Sequence, residues 1–423
     1  STDNYDTDPD SDTLTVTAIR TGSSEGSGTA GSIGSALDGT YGQLTIAANG
    51  SYTYVANQDA ADALDPGDVV TDTFNYTVSD GQGETDIAVL TITVNGINDA
   101  PVAQNDVGVI VEDGTLTVAN GANANLSGSY DATGEHSGDV IDTSSSSHTD
   151  SDADASASLT VTAIRVGSSE GSGTAGSIGS ALTGTYGQLT IAANGSYSYV
   201  ANQDAADALD VGDSVTDTFN YTLSDGTATD IGVITITILG ANDNPTAVND
   251  TGYIKEGGTL TVANSAAASS GTSTGNHTGD MTDNDTDADA SSTATITSIT
   301  ATTASGSAQT TFSSNSETVT GAYGTLTINS NGSYSYAANS NISGLDAGDS
   351  NITDVFTYIV SDGTATSTAT LTINVIASQD VTARNDTGTV NEDATLTVAD
   401  GDNANSATAL TLIRTTSINS QES

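Results

Sequence analysis

Apolar residues along this chain alternate with polar ones in short runs, and Asn-Gly and Asp-Gly pairs interrupt the alternation. Leu44 and Ile46 precede Asn49-Gly50, and Tyr52 and Tyr54 follow it. A period of two places these four side chains on one face of a ribbon. Asn-Gly supplies the positive φ that a two-residue hairpin turn requires. The same hairpin is spelled around Asn194-Gly195 and Asn331-Gly332. Phe74, Tyr76 and Val78 form a further one-sided strand ended by Asp80-Gly81, and Leu90, Ile92 and Val94 form the next. Helical spacing is nearly absent, with room for one short turn over residues 60–64. The pattern predicts an all-β chain of antiparallel β-sandwich domains, each sheet burying one face.

The pattern also repeats at long range. Residues 14–81 and 159–226, two windows of 68, differ at six positions: 21/166, 38/183, 53/198, 66/211, 69/214 and 78/223. A more diverged third copy carries 323–336 and 346–363. Tyr41 recurs as Tyr186 and Tyr323, at spacings of 145 and 137 residues, the size of whole domains rather than of solenoid repeats. The expected organisation is beads on a string: a first repeat over 1–98 lacking its opening strand, a second over 99–243, a third over 244–380, and a partial fourth repeat or donor strand over 381–423. Residues 121–155 are rich in Ser, Gly, Asp and Asn and read as a solvated excursion of the second repeat, with a counterpart within 257–290.

Composition then constrains how such domains hold together. Five basic residues against 54 acidic ones give a net charge of −49, which argues against nucleic acid and anionic membrane as partners. Self-repulsion of this size favours disorder, yet 35% of residues are hydrophobic and they alternate, so a core can form if counter-cations help. The chain has no cysteine and a single lysine, Lys255. Disulfides, thiolate metal sites and Lys–Asn cross-links in every domain are thereby excluded, and divalent cations remain as staples. No stretch approaches the roughly 20 apolar residues of a membrane span, and residues 1–12 lack the basic and apolar character of a signal segment.

Acidic residues recur at fixed places. Asp6, Asp8, Asp10 and Asp12 precede a strand in the first repeat, Asp150, Asp152 and Asp154 in the second, and Asp283, Asp285, Asp287 and Asp289 in the third. Carboxylates this dense repel one another unless a cation sits among them, and Ca²⁺, with about six to eight oxygen ligands, suits them better than a soft metal. The loop is no EF-hand: counted from Asp150, its sixth position is Ala155 and its twelfth Val161. The alternative is a solvated turn. A second set marks the boundaries: Asn98-Asp99-Ala100-Pro101 before Asn105-Asp106, and Asn242-Asp243-Asn244-Pro245 before Asn249-Asp250. Glu112-Asp113, Glu256 and Glu392-Asp393 follow at strand starts, the last after Asn385-Asp386.

The Asn-Asp-Asn-Pro linker resembles the calcium-binding linker of cadherins, and the whole repeat resembles the bacterial cadherin-like VCBS repeats of large adhesins. That resemblance implies an extracellular, secreted or cell-surface protein in which linker acids, the strand-start Glu and an Asp-x-Asp pair share calcium between neighbouring domains. It implicates Asp99, Asp106, Glu112, Asp243, Asp250 and Glu256, with Asp386 and Glu392 in the same places of the last segment. The third boundary, 378–381, has neither the Asn nor the Pro, so its site is expected to be weaker. Asn, Asp and Pro also make ordinary turns, and that reading stays open.

Other motifs lead away from catalysis. Gly22-Ser23-Ser24-Glu25-Gly26 fits a nucleophile elbow and recurs at 167–171, but the three histidines, His136, His148 and His277, lie in polar excursions and the first repeat has none. Gly26, Gly28 and Gly31 fit a dinucleotide pattern without the βαβ unit it needs. Tyr52, Tyr54, Tyr197 and Tyr199 alternate along strands, more as core than as a sugar platform. The expected role is a non-enzymatic spacer or filament subunit, with a glycan- or partner-binding module as the rival. The first repeat lacks the segment that opens the others, 105–118 and 249–262, while 385–398 supplies such a segment with no sandwich after it. Head-to-tail strand donation between chains would satisfy both. Arbitrary cuts in a longer array would explain the same ends, and residues 410–414, which resemble 159–165, favour that reading.

Overall fold

The computed structural model describes residues 5–127, 134–142, 148–269, 274–289, 293–302, 310–340 and 349–378, with single positions at 342, 343, 345, 346, 390, 392, 393, 395 and 397. These residues form three pairs of facing sheets and one helical turn, Asp59–Asp62. In the first repeat, Thr15–Thr21, Val69–Ser79 and Thr85–Asn95 are the long strands of a four-stranded sheet edged by Ala30–Gly31. Leu37–Asp38, Gln43–Ile46 and Tyr52–Val55 form the opposing sheet. Val16, Ile19 and Phe74 meet Leu37, Leu44 and Ile46 between them. The alternation therefore reads directly as inside and outside, and Asn49-Gly50 turns the predicted hairpin with Ile46 opposite Tyr52.

The second and third repeats reproduce these sheets and add an opening segment that serves both. Asp106–Val111 lies beside Thr229–Leu239, and Thr115–Val118 continues it along Tyr197–Val200 in the other sheet. In the third repeat Asp250–Lys255 and Thr259–Val262 do the same against Thr366–Ile376 and Tyr334–Ala338. The first half of each segment pairs parallel, from Ile234 opposite Asp106 to Leu239 opposite Val111. The sandwich is thus mixed rather than purely antiparallel. The segment enters at the linker end of its domain, so it runs in the direction of the strand that leaves at the other end. Asp113, at φ 58, makes the crossing between sheets, a conformation Asp tolerates better than most residues.

A buried carboxylate ties the two sheets together in every repeat. Asp72 accepts hydrogen bonds from the Thr40, Tyr41 and Gly42 N–H groups at 2.9, 2.9 and 3.2 Å and from the Tyr54 hydroxyl at 2.6 Å. Asp217 repeats this with Thr185, Tyr186, Gly187 and Tyr199, and Asp354 with Ala322, Tyr323 and Tyr336. Burial opposes ionisation of Asp72, but the Tyr54 hydroxyl and the backbone donors outweigh it and hold its carboxyl below the usual range. The Tyr-Gly positions that mark the repeat are therefore the donor turn of this anchor. Gly39 and Gly184 pass so close to it that a Cβ would lie 2.5 Å from the Asp72 or Asp217 Oδ2.

The excursion of the second repeat is solvated over much of 121–127 but not over 134–142. Glu135–His136 pairs with the outer edge of Asp106–Val111, and the Ser137 N–H donates to the Val107 carbonyl at 2.9 Å. Val140, Asp139, Glu135 and Asp142 are all buried. An edge strand exposes a row of unpaired backbone groups, and this segment satisfies them. Its polar composition reflects buried carboxylates and tight turns rather than contact with water. In the third repeat Gly275 and Thr278 bond to the matching strand at Tyr253 and Thr251.

Carboxylates at the repeat junctions

Glu112 follows Asp106–Val111 at the far end of the second repeat, where its Oε1 accepts a hydrogen bond from the Ala241 N–H. Burial lifts its carboxyl to about 7 against that bond, and the charges of Asp243, Asp289 and Asp113 add to the lift. The linker residue Asp243 donates its N–H to Asp289 Oδ2 at 2.8 Å, and Asp289 donates its own to Asp287 Oδ1 at 3.0 Å. Asp207 adds its charge to the set acting on Asp243. Glu112 Oε2, Asp207 Oδ1, Asp243 Oδ2, Asp287 Oδ2 and Asp289 Oδ1 are all buried without a hydrogen-bond partner. Such oxygens are costly unless something neutralises them together. A hard divalent cation with about six to eight oxygen ligands would do so.

The junction between the first two repeats has the same pieces less one. The Asp99 N–H donates to Asp154 Oδ2 and the Asp154 N–H to Asp152 Oδ1, both at 2.9 Å, while Asp152 Oδ2 and Asp154 Oδ1 are buried without partners. Burial raises Asp99, as do the charges of Asp154, Asp62 and Asp152. Asn98 Nδ2 reaches Asp225 Oδ2 at 2.8 Å, as Asn242 Nδ2 reaches Asp362 Oδ2 at the next junction. The described residues of the first repeat offer no counterpart of Glu112. After the third repeat Glu256 accepts bonds from the Ile342 N–H and, at 3.4 Å, the Ser378 hydroxyl. Glu392 is exposed, and Asp386 lies outside the described residues.

At the outer end of the first repeat, oxygens of Asp8, Asp12 and Asp80 lie within 4.8 Å of one another, a closer grouping than the junction acids make. Asp8 Oδ1 organises this loop by accepting the Asp10 and Asp12 N–H groups at 2.7 and 3.1 Å, while Asp6 accepts the Tyr76 hydroxyl at 3.1 Å. Asp80 matches Asp225 and Asp362, so this end presents the receiving half of a junction.

One predicted grouping is not formed. Asp106 and Glu112 occupy opposite ends of a six-residue strand, about 20 Å apart at roughly 3.3 Å per residue, so they cannot share an ion with Asp99. Asp106 faces Asp139 and Asp150, and Asp250 faces Asp283 and Asp285. Sequence reasoning missed Asp80, Asp139, Asp142, Asp207, Asp225, Asp280 and Asp362. Two signals pointed to five of them: the repeated His-Ser/Thr-Gly-Asp of 136–139 and 277–280 marks Asp139 and Asp280, and the Ser-Asp-Gly turn of 79–81, 224–226 and 361–363 marks Asp80, Asp225 and Asp362.

The serine motifs are turns. The Ser27 N–H donates to the Ser24 carbonyl, and the buried Asn75 accepts from Gly26 and donates to the Gly22 and Ser27 carbonyls. Asn220 repeats this at Gly167, Gly171 and Ser172. A Cβ on Gly28 would lie 1.9 Å from the Thr21 carbonyl oxygen, so that glycine of the dinucleotide-like pattern serves a close turn.

A family model described as "Bacterial cadherin-like domain" matches residues 1–96, 98–240 and 242–377. The calcium-binding lectin RapA2 of Rhizobium johnstonii is 26% identical over 209 residues, covering 49% of this chain and 75% of its own. Mouse cadherin-23 EC22-24 aligns over 88% of this chain and 89% of its own at 12% identity and a TM-score of 0.39. Drosophila N-cadherin EC1-4 aligns over 88% and 69% at 11% identity and a TM-score of 0.26.

Proposed function

Because the chain belongs to the bacterial cadherin-like domain family, we propose that it is a calcium-dependent, extracellular, non-enzymatic adhesion repeat protein whose junction carboxylates share Ca²⁺ and stiffen the array. The observation that carries this reading is the convergence of Glu112, Asp207, Asp243, Asp287 and Asp289, from two repeats and their linker, with five buried oxygens lacking partners. Calcium would offset their repulsion and fix the angle between neighbouring repeats. Excess chelator is then expected to enlarge the scattering radius and lower the melting temperature. Asp243→Asn should reproduce the first effect in calcium. Unchanged scattering and melting in chelator would refute the reading.

Self-assembly is the finer part of the proposal. The outer edges of Thr85–Asn95 and Tyr52–Val55 have no strand against them among the described residues, whereas their counterparts in both later repeats are covered. An opening segment of the kind written at 385–398, supplied by a second copy, would cover both edges and chain molecules head to tail. Of that segment only positions 390, 392, 393, 395 and 397 are described, all exposed. Electron microscopy in calcium should show fibres from the full chain and none after deletion of 385–423. Fibres from the truncated chain would exclude donation. Amides of 85–95 already protected in a monomer would point to an opening segment in cis.

The lectin relative favours a second reading, glycan binding. A calcium-containing glycan array would decide it, with any chelator-sensitive hit placing a sugar site alongside the spacer role.

A further inference from the structure

A second group of carboxylates lies inside the repeat, apart from the junctions. Asp106 begins the opening strand, Asp139 and Asp142 come from the segment covering its edge, and Asp150 precedes the junction pair Asp152 and Asp154. All four are buried, with exposures of 2%, 1%, 3% and 3%. Their mutual charges act on Asp106, Asp139 and Asp150, and no three of the four bring their oxygens within 4.8 Å of one another, so an ion would draw them together.

Three of the acids are fixed by donors that leave coordination capacity over. Asp106 accepts the Ser137 hydroxyl at 3.0 Å and the Tyr221 hydroxyl at 2.8 Å, and Asp150 accepts the Gln104 N–H at 2.7 Å. Asp139 accepts the Gly121 N–H on Oδ2 at 2.7 Å, while its Oδ1 is buried without a partner among these charges. The hydroxyl of Tyr197, a residue 3% exposed beside Asp106 and Asp139, is likewise without a partner. Arg165, the basic residue of this repeat, is at the opposite edge of the sheet, bonded to the Gly173 carbonyl.

We propose that Asp106, Asp139, Asp142 and Asp150 hold a hard divalent cation, Ca²⁺ by its oxygen ligands, within the second repeat and separately from the junction ions. The third repeat carries the counterpart in Asp250, Asp280, Asp283 and Asp285. There Asp285 Oδ2, Asn284 Oδ1, the Tyr334 hydroxyl and His277 Nδ1 are buried atoms without partners, and Tyr334 is 2% exposed. Asp283 is exposed, so the third-repeat site is more open and binds more weakly. The ion would clamp the covering segment to the opening strand, because its ligands come from both. The four acids offer oxygen donors only, which match calcium chemistry, while His136 beside Asp139 and His277 beside Asp283 each hold a ring Nδ1 that is buried without a partner.

The test counts ions by native mass spectrometry on the full chain loaded with calcium. Asp139→Asn should bind one ion fewer than the unchanged chain, and Asp139→Asn with Asp280→Asn two fewer. Asp243→Asn serves as the junction control and should leave these two ions in place. Equal counts in the unchanged chain and the double variant would overturn the proposal. A second measurement needs no variant of the site itself. In the Asp243→Asn chain, amide hydrogen exchange of 106–111 and 134–142 should accelerate at least tenfold on chelation. Protection there that ignores chelation would also overturn it.

Discussion

The first and second repeats make an internal experiment: 62 of 68 aligned residues are identical, yet their burial differs. Tyr52 is 51% exposed and its equivalent Tyr197 is 3% exposed. Leu90 and Ile92 are half-buried where Ile234 and Ile236 are fully enclosed. The same alternation thus builds the same strands in both, and the opening segment decides whether they close. Its contribution to the core is Leu116 and Val118 in one sheet and Ile110 in the other, all buried. At about 25 cal/mol per Å² of apolar surface, closing one sandwich with three such side chains is worth several kcal/mol.

The comparison is broken most severely at its shared anchor. Asp217→Ala strands three backbone N–H groups and the Tyr199 hydroxyl inside the protein and should cost the second repeat about 3–5 kcal/mol. Asp72→Ala should cost the first repeat less, because Tyr54 can reach water. Urea unfolding followed by hydrogen exchange repeat by repeat would measure both, since tandem domains do not unfold in one step. Leu116→Ala should move the second repeat toward the first by opening a cavity against Tyr199, for about 3 kcal/mol. Its signature is faster exchange along 188–191 and 197–200, with the first repeat unaffected.

A smaller effect follows from pH. Burial lifts Glu112 from 4.5 to about 7, Asp150 from 3.8 to about 7 and Asp250 from 3.8 to about 6. A carboxyl whose folded value lies above its unfolded value favours folding while protonated, and that stability is lost as pH rises through the interval. In chelator the melting temperature of the second and third repeats should therefore fall between about pH 4 and pH 7, and calcium should abolish the fall. The first repeat contains none of these three groups, and its lowered Asp72 acts in the opposite sense, so its melting temperature should not fall over that range. Smallest of all, Val69→Ser copies the second repeat's residue onto an exposed site and should change stability by less than about 0.5 kcal/mol, read as an unshifted urea midpoint.

Strands, hairpins and the repeat were legible because burial of one face leaves a period-two trace in every copy. Asp8, Asp152 and Asp287 were legible because they stand in a dense local run. Asp207 was not, since it is an isolated acid in a turn and joins the junction only when separate loops meet. The separation of Asp106 from Glu112 was hidden for the complementary reason: six residues are near in sequence, but an extended strand carries them to opposite ends of the domain. The covering segment misled because its polarity reads as solvent contact, whereas here the polar atoms bind an edge strand and one another.

The parallel pairing of Asp106–Val111 with Thr229–Leu239 has a mechanical consequence. The chain enters the second repeat at the start of one strand and leaves it at the end of the other. Tension along the array therefore pulls the two strands in opposite directions along their length, loading the hydrogen bonds between them in shear. Bonds loaded in this way share the force and must yield together, whereas a peeled hairpin gives way one rung at a time. Asp250–Lys255 against Thr366–Ile376 gives the third repeat the same clamp.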